Sequence, residues 1–521
     1  MTTRMGLLVH PTTAWRVRIA ACVALVFLDA ACVAQPAPPA VEFHWPVSTP
    51  EAQGLSSQAM AELVGNGAAN SMDSLLVIRH GSIVTEATYA PFRPGMKHAV
   101  NSVTKAVVGT LAGIAHEQGT LGSLDQTLGD LFAGSELPAA DAAKRSVTLG
   151  QLLTMTSGLA WQEPLTEDVP RSLLEMRRSP DWVGYVLSRP MATAPGTTFN
   201  YDSGTWQLLM AVLRRKTATD PEEFARAKLF RPMDIADIDW LRDPQGLPAG
   251  GFGLAMHPRD MAKIGWLYLR GGEWQGQRLV PHEWIDEVVH ASVDMHLHAD
   301  PAFRYANGWW VLPDRHAYLA VGFLRQLIVV LPDLDMVVVA TGKRHYPLVE
   351  FIDRLRAAAL HDAATSQTAD GSRALALALR QASTEVASAV LPASAKAGAI
   401  SGRTYRMADN PFGLRSVRLT LDEESSRFDV QLADPTAADG VVTVSAPVGL
   451  RGVFGSAPEP SAQPVVAKGT WLDRDTFELT TQSIAEGVVR TFRLTYRDDG
   501  VDLLLTDNSG TRAHLSGTAA K

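Results

Sequence analysis

Ser102 and Lys105 stand three residues apart in Asn101-Ser102-Val103-Thr104-Lys105-Ala106-Val107-Val108-Gly109. At the start of an apolar helix, that spacing places both side chains on one face. The lysine amine can then take the serine's proton, one way to build a serine nucleophile without histidine. Chance alone yields Ser-x-x-Lys about once or twice in a chain this long. Here it occurs once. The pair carries weight only if the chain supplies the remaining parts.

A second part is Pro195-Gly196-Thr197-Thr198-Phe199-Asn200-Tyr201-Asp202-Ser203-Gly204, whose Gly and Pro make it a loop,. A tyrosine of lowered pKa serves as a general base when a cation stabilises the phenolate. Lys105 is the candidate cation, and Ser203 could hydrogen-bond it and fix its position. Taken alone, the segment reads better as a buried tyrosine beside an ordinary turn. His296-Leu297-His298 has a spacing seen in metal sites, but no cysteine or His-Glu-x-x-His helix accompanies it, so it reads as a solvated loop,. No Gly-x-Ser-x-Gly elbow is present, and Gly250-Gly251 and Gly271-Gly272 lack the strand–turn–helix setting of a phosphate loop,.

The elements that must position these groups follow from periodicity. Leu75–Arg79 and Ser82–Thr85 flank His80-Gly81 as a tight hairpin,. Ser102 to Glu117 reads as a helix ended by Gly119, and Pro258 to Gly271 as another,. The stretch from Thr148 to about Phe230 is mostly helical. Late strands are expected at Gly308–Leu312, Ala317–Val321, Leu327–Leu331 and Met336–Thr341, with a closing helix from Pro347 to His361. An early hairpin joined to late strands, with helices between, is an α+β layout. Residues 363–398, rich in Ala, Ser, Thr and Gln, read as a linker, with a helix from Arg373 to Val390,. From residue 399 to 521 alternation takes over, at Val417–Leu421, Phe428–Leu432, Phe477–Leu479, Phe492–Tyr496 and Val501–Leu505. That texture predicts a small all-β accessory domain, sandwich or barrel.

Whole-chain properties narrow the function. A chain of 521 residues with 46% hydrophobic and 20% charged content is a globular protein of two or three units,. A net charge of -8 without a basic run argues against nucleic acid as partner,. Arg4, Arg16 and Arg18 precede an apolar run from Ile19 to Leu28 followed by small residues, the pattern of an export signal over residues 1–34,. Periplasmic or extracellular localisation is the expectation. Leu28-Asp29-Ala30-Ala31-Cys32 resembles a lipobox, with Asp29 where that pattern has an aliphatic residue; lipidation of Cys32 is the one membrane attachment considered. Cys22 and Cys32 are the only cysteines, so a chain cleaved after Ala34 forms no internal disulfide and has no thiolate nucleophile or thiolate metal site,.

Taken together, Ser-x-x-Lys and the later Tyr-x-Ser resemble the penicillin-binding and class C β-lactamase superfamily of serine hydrolases. Thr148-Leu149-Gly150-Gln151-Leu152-Leu153-Thr154-Met155-Thr156-Ser157-Gly158-Leu159, Gly251-Phe252-Gly253-Leu254 with Arg259–Gly265, and Tyr305–Trp310 match further segments of that family in the expected order. The resemblance spans roughly residues 45 to 362 and implies an antiparallel sheet flanked by helices, with an all-helical subdomain. It places the hydrolase domain at 41–362 and makes the β domain similar to lipocalin-like or sandwich appendages. It implies acyl transfer: Ser102 as nucleophile, Lys105 and Tyr201 sharing the base work, Ser203 supporting, and backbone N–H groups of Ser102 and Phe323 holding the oxyanion. No cofactor or metal is required.

The family's third motif, Lys-Thr-Gly or a variant, aligns with Ala320-Val321-Gly322, where the cation is missing. The resemblance therefore favours the esterase and 6-aminohexanoate-dimer hydrolase branches over efficient penicillin hydrolysis. Those branches often carry a glycine pair where this chain has Leu324-Arg325. Bulk there could narrow the pocket, or Arg325 could bind a carboxylate; Gly322 keeps a small residue at the strand edge, beside Ala320. The expected substrate is a small-molecule or peptide-like ester or amide. The alternatives are β-lactamase or D-Ala-D-Ala peptidase activity, or a non-catalytic cell-wall-binding member.

Overall fold

The structure is a computed structural model that describes residues 43–132, 137, 141–165, 169–296, 303–360, 369–422, 425–434, 439–456 and 464–520. The expected export signal, Cys22, Cys32 and His298 lie outside the described residues.

The expected hairpin forms from Met72–Arg79 and Ser82–Thr88. His80 and Gly81 take φ of 48° and 76°, the left-handed pair that a two-residue turn matching strand twist demands,. The late strands complete an eight-stranded sheet. Its order is Ser82–Thr88, Met72–Arg79, Met336–Gly342, Gln326–Leu331, Ala317–Gly322, Trp309–Leu312, Arg304–Ala306, Val293–Asp294. Neighbours are antiparallel. The central strands are buried along their whole length, as a sheet covered on both faces requires,. Pro258–Leu269 and the helix Val103–Glu117 that follows Ser102 pack on it.

The described residues between 128 and 230 hold a series of helices separated by loops, and Ser203–Thr217 runs through this subdomain with its first eleven residues buried.

The stretch 363–398 is not a linker throughout. Ala369–Ala382 forms a helix whose Leu375 and Ala382 join the main core, and it lies against Ser57–Ala69. Leu375, Ala378, Leu379 and Ala382 form its packed face, half of it alanine, which gives little contrast in an Ala-rich sequence,. The extended part begins at Ser383 and follows the accessory domain, where Ser388 N–H donates to the Gly452 carbonyl (2.8 Å).

That domain is a closed barrel of nine strands, from Thr404–Met407 to Arg512–Ala519, which settles barrel over sandwich. Closure leaves no edge strand to pair with another chain. Tyr405, Phe428, Trp471, Phe477, Phe492 and Tyr496 fill its interior, so this barrel has a packed core rather than a ligand chamber of the lipocalin kind,.

Candidate active site

Ser102 occupies the N-cap position of the helix Val103–Glu117, preceded by Asn101 at φ 50°. Lys105 lies one turn on, with only 1% of its surface exposed. Its Nζ donates to Ser102 Oγ (2.9 Å), Ser203 Oγ (2.9 Å) and the Gly251 carbonyl (2.7 Å). Three donors meet three acceptors, which satisfies the ammonium form completely.

The Tyr-x-Ser element is a helix start. Asp202, at φ -146° and ψ 102°, caps Ser203–Thr217, its Oδ1 accepting from Gly204 N (2.7 Å) and Thr205 N (3.1 Å),. The cap fixes the residues on either side of it. Tyr201 is turned so that Lys105 Nζ lies 4.7 Å from its ring centre, and its hydroxyl is in hydrogen-bonding contact with Ser102. Ser203 faces the same amine. The segment from Thr148 braces this loop: Asn200 N donates to the Met155 carbonyl (2.9 Å) and Gly196 N to Thr156 (2.7 Å).

A carboxylate not anticipated from the sequence completes the cluster. Glu163 accepts from Ser203 Oγ (2.6 Å), Ser203 N (2.9 Å) and Trp161 Nε1 (2.7 Å). Its only sequence signal is an acidic residue two after Trp161 in the loop that follows Gly158-Leu159.

Electrostatics assign different tasks to the two candidate bases. Burial draws the Lys105 pKa down to about 8, although Glu163 and Asp202 oppose the shift,. Burial and the Glu163 charge push the Tyr201 phenol well above its ordinary value. Tyr201 is therefore a neutral hydroxyl at working pH, not the phenolate expected. Asp202 is raised to about 8, first by burial and then by Glu163.

The far side of the cleft is the strand Ala317–Gly322 and its turn. Gly322 is small because of the backbone behind it: a Cβ there would stand 2.4 Å from the Val100 carbonyl. Ala320 is fully buried in the sheet. Arg325 turns toward Tyr346, donating from Nε to its carbonyl (2.8 Å). Phe323 is exposed, its ring 5.1 Å from that of His345, while its carbonyl accepts from Asn101 Nδ2 (3.1 Å) and Gln326 Nε2 (3.1 Å). Away from the cleft, His296 Nδ1 lies 3.3 Å from Asp294 Oδ1.

The chain is similar to the 6-aminohexanoate-dimer hydrolase of Paenarthrobacter ureafaciens, 24% identical over 51% of this chain and 71% of that one. Its fold is similar to that of a Bacillus anthracis protein assigned as a 6-aminohexanoate-dimer hydrolase, with a TM-score of 0.52 at 19% identity over 61% of this chain and 86% of that one. The beta-lactamase family model matches residues 57–363, more than half of the sequence, and the chain belongs to that family.

Proposed function

We propose that this protein is an exported serine hydrolase that cleaves a carboxylic ester or linear amide through an acyl-enzyme on Ser102. The observation that carries the reading is the buried Lys105 amine, 2.9 Å from Ser102 Oγ, with its pKa drawn to about 8. Neutral Lys105 keeps two donors, to Ser203 and Gly251, and turns its lone pair to the Ser102 hydroxyl.

Ser102 Oγ attacks the carbonyl carbon as its proton passes to Lys105. Backbone N–H groups of Ser102 and Phe323 hold the oxyanion; one such donor is typically worth about 10²- to 10³-fold in rate. As the tetrahedral intermediate collapses, Tyr201 gives its proton to the leaving oxygen or nitrogen and regains one from Lys105. Water then attacks the ester carbonyl by the same route and releases the acid.

A linear ester or amide is favoured over a β-lactam on two grounds. No lysine stands at Ala320, and the curated relative bears the name of an amide hydrolase. Exposed Phe323 offers an apolar wall for an acyl or leaving group. The test is fluorophosphonate labelling with turnover of a short-chain nitrophenyl ester, a linear 6-aminohexanoate dimer and nitrocefin. Wild type should label and turn over the ester or amide faster than nitrocefin, and Ser102→Ala should do neither. Equal labelling of both proteins sinks the nucleophile assignment; preference for nitrocefin sinks the substrate class.

A further inference from the structure

Behind the cleft, the barrel meets both segments that flank Ser102. One is the approach His98, Ala99, Val100, Asn101. His98 is fully buried, with Nε2 3.1 Å from Asp73 Oδ2 and Nδ1 3.0 Å from the Ala99 carbonyl. Asp73 sits where the register of Met72–Arg79 slips between Met72 and Ser74, and it pairs with Lys343. From the barrel, Gln482 Nε2 reaches to 3.5 Å of Asp73 Oδ1.

The second segment is the edge that carries Phe323. The buried Gln326 amide donates to the carbonyls of Phe323 (3.1 Å) and Gly342 (2.9 Å) and accepts from Gly342 N (3.1 Å). One residue along, the barrel's Asn508 donates from Nδ2 to the Lys343 carbonyl (2.8 Å) and to Gly487 (2.9 Å). Its Oδ1 accepts from Val489 N (3.0 Å).

Gly487 joins the two segments. It ends the turn Ile484–Glu486 at φ 66°, and a Cβ there would stand 2.6 Å from the Gly342 carbonyl and 3.4 Å from His98 Cε1. Phe92, Val466 and Ile484 seal the junction with a small apolar cluster of their own. An appended module ordinarily meets its neighbour through a wet, polar surface. Here charged and amide groups are desolvated across the junction, an arrangement that holds only when every partner is in place.

We propose that the barrel is part of the oxyanion support, with Asn508, Gln482 and Gly487 as positioning residues. They hold the His98–Asn101 approach and the Gln326–Gly342 edge at the separation at which the N–H groups of Ser102 and Phe323 converge on one oxygen. The inference rests on the acyl-transfer reading, because those donors matter only if Ser102 is acylated. None of the three barrel residues is asked to touch substrate, so their effect falls on kcat rather than KM.

The test is Asn508→Asp in the full chain. A carboxylate keeps the acceptor for Val489 but cannot donate to Lys343 or Gly487. The expected result is a fall in ester kcat of about 10²-fold, the usual effect of a misplacement near 1 Å, with KM within about twofold and fluorophosphonate labelling slowed in step. Asp409→Ala, at a fully exposed barrel residue, should leave kcat unchanged. If Asn508→Asp lowers only the melting temperature, while kcat and labelling stay at wild type well below it, the proposal is overturned. Should that variant not fold, Gly487→Ala, which pushes the turn off Gly342 and His98, carries the same expectation and the same refutation. Wild-type turnover by Ser102→Ala would instead overturn the underlying reading, whatever Asn508→Asp does.

Discussion

Lys105 has an acceptor for each of its three protons, so reactivity at Ser102 depends on removing one of them. Its pKa lies below the ordinary lysine value, at about 8; the ammonium therefore dominates below that pH and the basic amine above it. The expected kcat/KM profile rises through neutrality and levels off above about 8,. Glu163 acts on the same equilibrium, because its charge opposes the drop. Glu163→Gln should therefore move the acid limb to lower pH. Parallel pH–rate profiles of the two proteins check both statements, and a limb that stays put removes Glu163 from the electrostatics of the base.

At the scale of elements, the turn after Ala317–Gly322 is held in an unusual backbone. Leu324 and Arg325 take φ of 61° and 65°, a left-handed conformation that favours glycine,. Each such residue costs on the order of 1 kcal/mol, so the surroundings must impose the conformation. They do so through burial of Leu324, the 3.0 Å bond from Arg325 N to the Gly322 carbonyl, and the Arg325–Tyr346 contact. The turn is thereby a fixed wall. Its weak point is Gly322, which has backbone on its one open side. Gly322→Ala should push the strand from Val100 and lower kcat by about 10²- to 10³-fold, comparable to loss of one oxyanion donor. Steady-state kinetics on a nitrophenyl ester measure it, and an unchanged kcat would mean that the strand does not set the oxyanion geometry.

Across the whole molecule, the hydrolase domain's ion pair of Lys343 with fully buried Asp73 lies against the barrel, whose Gln482 reaches Asp73 and whose Asn508 bonds the Lys343 carbonyl. Burial alone would raise the Asp73 carboxyl; Lys343 and then His98 outweigh it and hold the group below the ordinary aspartate range. A depressed carboxyl stabilises the fold above that range and loses its contribution as acid protonates it. Lys343→Met should leave the charge unpaired and cost about 3–5 kcal/mol, read by denaturant unfolding at neutral pH. A loss under about 1 kcal/mol would show that Asp73 is satisfied without the lysine. Lys343 thus belongs to the junction, although Thr341-Gly342-Lys343 looks like a displaced catalytic motif in the sequence.

What could be read from the chain alone was whatever its near neighbours encode. Ser102 and Lys105 share a helical face, and short apolar runs or alternation marked most strands, whereas the Asp202 cap that turns the Tyr201 loop into a helix start was not read. These depend on backbone geometry over a few residues. Tertiary structure decided the rest. Burial raises the Tyr201 phenol and draws the Lys105 amine down, and no local pattern reports burial. Glu163 reaches Ser203 across 40 positions, and Lys343 reaches Asp73 across 270. The barrel's closure and the docking of Ala369–Ala382 likewise follow from surfaces that meet only in the folded chain. Such pairings carry no period along the sequence, because packing rather than spacing selects them.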